Sequence, residues 1–140
     1  MVNIRPVLAA LLLVVLSGAC GDRAERLNVR PPAFGVPASP TEVSGIYRSI
    51  HQGLLQLRGN GDLNLVVPEG FGATSGTFTL RDGEVKVLTE NCGDEVGDYR
   101  LRVEPGPIVG KSTLVFETVD DPCAERAKYL TIDPWVYGDS

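Results

Sequence analysis

This 140-residue chain has a single histidine, a single tryptophan and only 6% aromatic residues. It also lacks any excess of positive charge. Thirteen Lys and Arg stand against eighteen Asp and Glu, a formal net charge of −5. No basic face is available to track a phosphate backbone, so nucleic acid is excluded as a partner. One histidine cannot build a three-histidine zinc site. The apolar run Val7 to Leu16, which has no polar side chain, is ten residues. As helix it would span about 15 Å, half of what a bilayer core requires, so no transmembrane helix is expected. No repeat or low-complexity block occurs. There is no Gly-X-Ser-X-Gly elbow, phosphate-binding loop or paired-carboxylate motif, and the expectation is a protein that is not an enzyme and carries no cofactor. What remains is 43% hydrophobic, too apolar for a disordered chain, and long enough for one ordinary domain.

Arg5 and the apolar run Val7 to Leu16 read as the charged and hydrophobic parts of an export signal. They lead into Leu16-Ser17-Gly18-Ala19-Cys20, where the chain resembles bacterial lipoprotein precursors. The resemblance implies residues 1–19 as a lipoprotein signal peptide and a diacylglycerol on the Cys20 thiol. The expected location is then extracytoplasmic, with the lipid anchored in the bacterial cell membrane or outer membrane. Ordinary cleavage after Ala19, giving a free secreted product, is the alternative. Residues 20–40 read as a lipidated cysteine followed by a tether rich in Pro31, Pro32, Pro37 and Pro40. In polyproline II form at about 3.1 Å per residue, it would reach roughly 60 Å. The alternative is that Phe34 and Val36 pack on the domain.

Three cysteines are an odd number. With Cys20 assigned to lipid, Cys92 and Cys123 remain, and an oxidising compartment favours a disulfide between them. A zinc site is the rival, but two cysteines without a neighbouring His fall short of four ligands.

Residues 41–140 alternate. In Asp98-Tyr99-Arg100-Leu101-Arg102-Val103-Glu104 every second side chain is apolar, the mark of a strand with one wet and one buried face. Leu63 and Leu65, Phe78 and Leu80, Val85 and Val87, and Leu114 and Phe116 continue the pattern. Val115 and Val119 lie on the opposite face of their strand and hint at a partly covered exterior. Asn60-Gly61 and Asp82-Gly83 are tight-hairpin signals. The spacing predicts an all-β fold: about eight antiparallel strands at 44–50, 53–58, 62–67, 75–81, 84–90, 97–104, 111–119 and 129–136. An up-and-down barrel is favoured because closure removes exposed edges. Asp121-Pro122 predicts a short helix over Cys123 to Lys128, before the last strand.

Gly45-Ile46-Tyr47 opens the first strand as Gly-X-Trp does in lipocalins and related calycins, with Tyr in place of Trp. Together with Asp121-Pro122-Cys123-Ala124-Glu125-Arg126 and Trp135, it resembles a group of small bacterial lipocalin-like lipoproteins. The resemblance implies a lipocalin-like barrel over 41–140. It also implies a structural Arg126 stacked on the ring of Tyr47.

Candidate sites are few. Inward-facing Tyr47, Leu55, Leu57, Leu63, Leu65, Phe78, Val85, Val87, Tyr99, Leu101, Val103, Leu114, Phe116 and Trp135 would line a small apolar ligand site or simply fill the core. His51 is expected on the surface or rim. Glu90, Asp94, Glu95, Asp98, Asp120 and Asp121 would form a solvated acidic loop or, alternatively, a calcium site, although no calcium motif matches their spacing. Two functions compete: a tethered barrel that binds a small hydrophobic ligand, and a structural domain that docks another envelope protein. Metabolic palmitate labelling checks the anchor: label is expected on the native chain and lost in Cys20→Ser, and its persistence there refutes the assignment.

Overall fold

A computed structural model describes residues 30–138; the expected export signal, Cys20 and the first part of the expected tether lie outside the described residues. Eight strands follow one another around a closed antiparallel barrel: β1 (Gly45–Arg48), β2 (Leu54–Leu57), β3 (Asp62–Val67), β4 (Gly72–Arg81), β5 (Glu84–Thr89), β6 (Gly97–Pro105), β7 (Ser112–Asp120) and β8 (Trp135–Tyr137). One helix, α1 (Ala124–Thr131), lies between β7 and β8. The architecture is the expected all-β barrel and is consistent with a lipocalin-like fold. Sequential strands pair, as short hairpins dictate, and the ring is sealed where β1 meets β8 through Tyr47↔Tyr137 and Arg48↔Val136.

Alternation fixes the register. A one-residue slip would turn each apolar set outward. In β6 every second residue from Gly97 to Val103 is buried, and its Leu101 and Val103 sit opposite Phe116 and Leu114 of β7. Asp82 and Gly83 both have positive φ at the β4–β5 turn, and Gly61 does so at the β2–β3 turn, as those tight hairpins require. The long strand β4 pairs with β3 through Gly72–Thr77 and with β5 through Gly76–Arg81. The overlap falls at Gly76 and Thr77, and a Cβ on Gly76 would collide with the Leu88 carbonyl. Only glycine lets the two neighbours approach that closely.

The tail of the chain departs from expectation. Residues 129–131, read as the start of the last strand, belong to α1, and β8 begins only at Trp135. Leu130 and Tyr129 have the apolar character of strand residues, but Leu130 enters the core from a helix. Pro134 then disfavours further helix at the residue before it and forces the chain into extended form. The helix starts at Ala124 with Cys123 as its N-cap; Asp121 instead accepts the Cys123 amide at 2.8 Å.

The proline-rich segment is not free along its whole length. Gly35 pairs with Val103 of β6, the Pro37 and Ala38 carbonyls accept the Gly83 and Asp82 amides, and the Pro32 carbonyl accepts the Ser112 hydroxyl. A 3-10 turn, Pro40–Val43, then plugs this end of the barrel with a fully buried Val43. Proline carbonyls are good acceptors although proline lacks the donor, so the segment can edge the barrel without completing a ladder. Phe34 and Val36, considered as packing residues, are exposed.

Cys92, in a 3-10 turn after β5, is bonded to Cys123 before α1, so the expected disulfide is present. It closes a loop with a sequence separation of 31, worth about 3.5–4 kcal/mol in the chain-entropy account. The double variant Cys92→Ser/Cys123→Ser is expected to lose about that much in denaturant unfolding, and an unmoved midpoint would contradict the role of the staple.

Candidate functional site

The residues expected inward are all buried in one cluster: Tyr47, Leu55, Leu57, Leu63, Leu65, Phe78, Val85, Val87, Tyr99, Leu101, Val103, Leu114, Phe116 and Trp135, joined by Val43, Val67, Leu80, Leu130 and Tyr137. Their rings pack against each other. Tyr47 meets Tyr137 edge-on with centroids 5.6 Å apart, and Tyr99 meets Phe116 likewise at 6.1 Å. Burial pushes the Tyr47 hydroxyl well above the ordinary tyrosine range, with Tyr137 adding to the effect. The hydroxyl stays protonated and donates to the Val43 carbonyl at 2.8 Å. These contacts make the barrel axis a packed core.

One end of the barrel gathers the loops after β1, β3 and β5 together with α1. A clamp holds this end. Arg126 is fully buried on α1 and donates to both Asp121 carboxylate oxygens at 2.9 and 2.7 Å, to the Thr89 hydroxyl at 3.2 Å and to the Glu95 carbonyl at 2.8 Å. Tyr99 also donates to Asp121. Arg126 is therefore structural, but its neighbours are Asp121 and Tyr99 rather than the Tyr47 ring; among the described residues, the cation over a ring is Lys128 over Tyr129. The reason is distance along the barrel: Tyr47 directs its hydroxyl toward Val43 and the opposite end. Burial raises the Asp121 carboxyl, but hydrogen bonds from Arg126, Tyr99 and the Cys123 amide outweigh it and hold the group below the ordinary carboxylate range.

Two of the six acidic side chains have cationic partners: Asp121 belongs to the clamp and Asp98 pairs with Lys86 at 2.7 Å. Among the described residues no group of three or more His, Cys, Asp or Glu is arranged to hold a metal ion. Val115 is half-buried, while Val119 is exposed, with no element laid over it.

The mouth of this same end holds a half-open pocket of about 420 Å³. Trp135, Tyr129, Val67 and Ile132 supply its apolar lining; Ser49, His51 and Asp133 supply polar groups, with Glu69 and Lys128 at its edge. Phe71 packs on Tyr129 with centroids 5.4 Å apart and backs the wall. Two features keep the pocket open. The indole nitrogen of Trp135 donates to the Leu130 carbonyl at 3.1 Å, which fixes the ring. Gly53 stands where a Cβ would press on that ring at 2.9 Å and on Ser49 Oγ at 2.7 Å.

His51 sits on the rim, as expected, at 68% exposure, and its Nδ1 meets the carboxylate of Asp133, which is only 9% exposed. Ser, His and Asp thus line one cavity. The Ser49 hydroxyl, however, accepts the Gly53 amide at 3.0 Å, and among the described residues no hydrogen bond joins it to His51. The arrangement is that of a polar corner beside an indole, without a nucleophile–base pair.

Sequence reasoning found Trp135 and His51 and set Ser49 beside the histidine, but passed over Asp133 and Tyr129. Asp133 reaches His51 across 82 residues, so no local spacing could reveal the pair. A second concavity, about 560 Å³, lies on the outer face around Gly76. Two of its polar side chains are already partnered: Ser75 donates to Asn64 at 2.8 Å, and Asn64 donates to Gln56 at 3.2 Å.

No family model matches the chain, and neither a curated protein nor a solved structure does.

Arg126→Met leaves Asp121 buried without its cation and is expected to cost about 3–5 kcal/mol. The pH dependence follows in sign. With its native pKa depressed, Asp121 contributes stability above the unfolded carboxylate pKa, and this is lost as pH falls through the lower native value. In the variant the buried carboxyl is relieved by protonation, so the stability gap narrows below about pH 4. A gap constant with pH would show that Asp121 does not carry the effect.

Proposed function

We propose that the chain is a lipid-anchored, extracytoplasmic bacterial protein of the lipocalin-like kind, and that it binds a small amphiphilic molecule at the mouth of the barrel. The carrying observation is the juxtaposition of a largely buried carboxylate, Asp133, with the ring of Trp135 in a half-open cavity. A packed axis leaves little room for a ligand deep inside, whereas a cavity of about 420 Å³ is the size of a small-molecule site.

The chemistry of the lining sets the ligand class. Trp135, Tyr129, Val67 and Ile132 offer an apolar bed for an aliphatic or aromatic body. A buried carboxylate needs a partner, and the present partner is a side chain on an exposed turn. A ligand bearing an ammonium or another strong donor can replace His51 on Asp133, which is where affinity and orientation would both arise. The rival reading, a domain that docks another envelope protein, draws on exposed Ile50, Ile132 and Val119 around the same end. The pocket favours the small ligand because the Asp133 carboxylate in its polar corner is recessed, where a small molecule can reach it and a flat protein surface cannot.

Trp135 is the sole tryptophan, so it reports occupancy directly. Titration with medium-chain alkylammonium salts should change its fluorescence saturably, with carboxylates of equal length binding more weakly. Asp133→Asn should remove that preference at a cost of roughly tenfold in Kd, or about 1.4 kcal/mol. No saturable change with any member of the panel would reject ligand binding at the mouth.

A further inference from the structure

We infer that the end of the barrel opposite the mouth is a bilayer-contacting surface, so that the pocket opens away from the membrane. The inference rests on the lipid anchor proposed above.

Three hydrogen-bonded contacts place the incoming chain at this end. The Pro32 carbonyl lies on Ser112 at the start of β7, Gly35 lies on Val103 of β6, and Pro37 lies on Gly83 at the β4–β5 turn. Nine residues, 21–29, separate Arg30 from Cys20. Fully extended, that connection reaches at most about 35 Å. An anchor so short, leaving from this end, holds this end nearest the lipid.

The same corner exposes apolar side chains that the fold does not explain. The β6–β7 loop ends in Ile108 and a fully exposed Val109, and Phe34 and Val36 project from the docked segment alongside. Ser112 and Val103 flank the loop in sequence and hold the segment in space, so the four residues belong to one patch. Exposed apolar groups gathered at a point of tethering are what a peripheral contact with a bilayer interface requires.

Charge does not carry the contact. Arg30, Arg58, Arg81 and Lys111 stand at this end beside Glu42, Asp62, Asp82, Glu84 and Glu104, so the end has no excess of positive charge. Attraction to anionic headgroups would decline with added salt; an apolar contact would not. The occupant is therefore the apolar–polar boundary of the bilayer. A second copy of the chain is the alternative that the experiment excludes.

The lipidated full chain, recovered from bacterial membranes, is reconstituted in phosphatidylethanolamine–phosphatidylglycerol vesicles that contain lipids with nitroxide-labelled acyl chains. With Cys20 acylated and Cys92 bonded to Cys123, a cysteine introduced by Val109→Cys or Ile132→Cys accepts a single fluorophore. Quenching is expected to be several-fold stronger at position 109 than at 132, and unchanged in high salt. Equal quenching overturns the orientation, as does a probe at 109 shielded equally in detergent, which marks self-association. A chain that carries no lipid and fails to float with vesicles defeats the anchor itself. A chain that floats with an unquenched probe at 109 defeats only the orientation.

Discussion

The structure depends on one seam. Seven of the eight strand contacts join neighbours in sequence, six of them through short connections that close at little entropic cost and the seventh, β7 to β8, through α1. The eighth joins β1 to β8 and must be held across most of the domain. It is short: two residue pairs, extended by the Gly138 amide donating to the Ile46 carbonyl at 2.9 Å. So few ladder bonds cannot hold the ring alone. Side chains reinforce them, with Tyr47 and Tyr137 edge to face at the junction and Gly45 leaving space for the Tyr137 ring, where a Cβ would come within 2.8 Å. Without the seam the sheet would have two free edges and an open core.

The seam in turn explains the clamp at the mouth. After β7 the chain must cross the end of the barrel and return as β8. Helix α1 makes that crossing, tied at its start by the disulfide to the β5–β6 loop and by Arg126 to Asp121, Thr89 and Glu95. An Arg–carboxylate pair with neither side chain exposed is costly to desolvate. Here further hydrogen bonds from Tyr99 and the Cys123 amide saturate the carboxylate, and Arg126 is shared among three elements. The clamp fixes where α1 starts, and Pro134 beyond its end turns the chain extended so that Trp135 begins the last strand.

The strands were legible because alternation is a local property. Tyr99, Leu101 and Val103 declare their face without knowledge of any neighbour, and Asp82-Gly83 declares its turn. The features that failed to show are those that depend on distant partners. Tyr129 and Leu130 look alike on a strand or a helix, and only packing against the core from α1 decides. The prolines from Pro32 to Pro37 look like a spacer until their carbonyls find Ser112 and Gly83. Arg126 was legible as a structural residue, but its partner was not. The pocket was the least legible part, since Ser49, Tyr129 and Asp133 meet only after the seam has closed.

Closure also decides where a ligand could be held. Eight strands enclose an interior just wide enough for side chains. With strands as short as three or four residues at the seam, the layers formed by Tyr47, Tyr137, Tyr99 and Phe116 occupy it. The ligand site proposed here therefore falls at an end, and the two ends are unlike. One is sealed by a buried Val43 beneath a docked segment and presents apolar side chains where the chain departs. The other is spanned by a helix that leaves a recess over an indole and sets a carboxylate in it. On the proposed reading, this small barrel separates a face for attachment from a face for binding because its two closures are built from different parts of the chain, one preceding β1 and one inserted before β8.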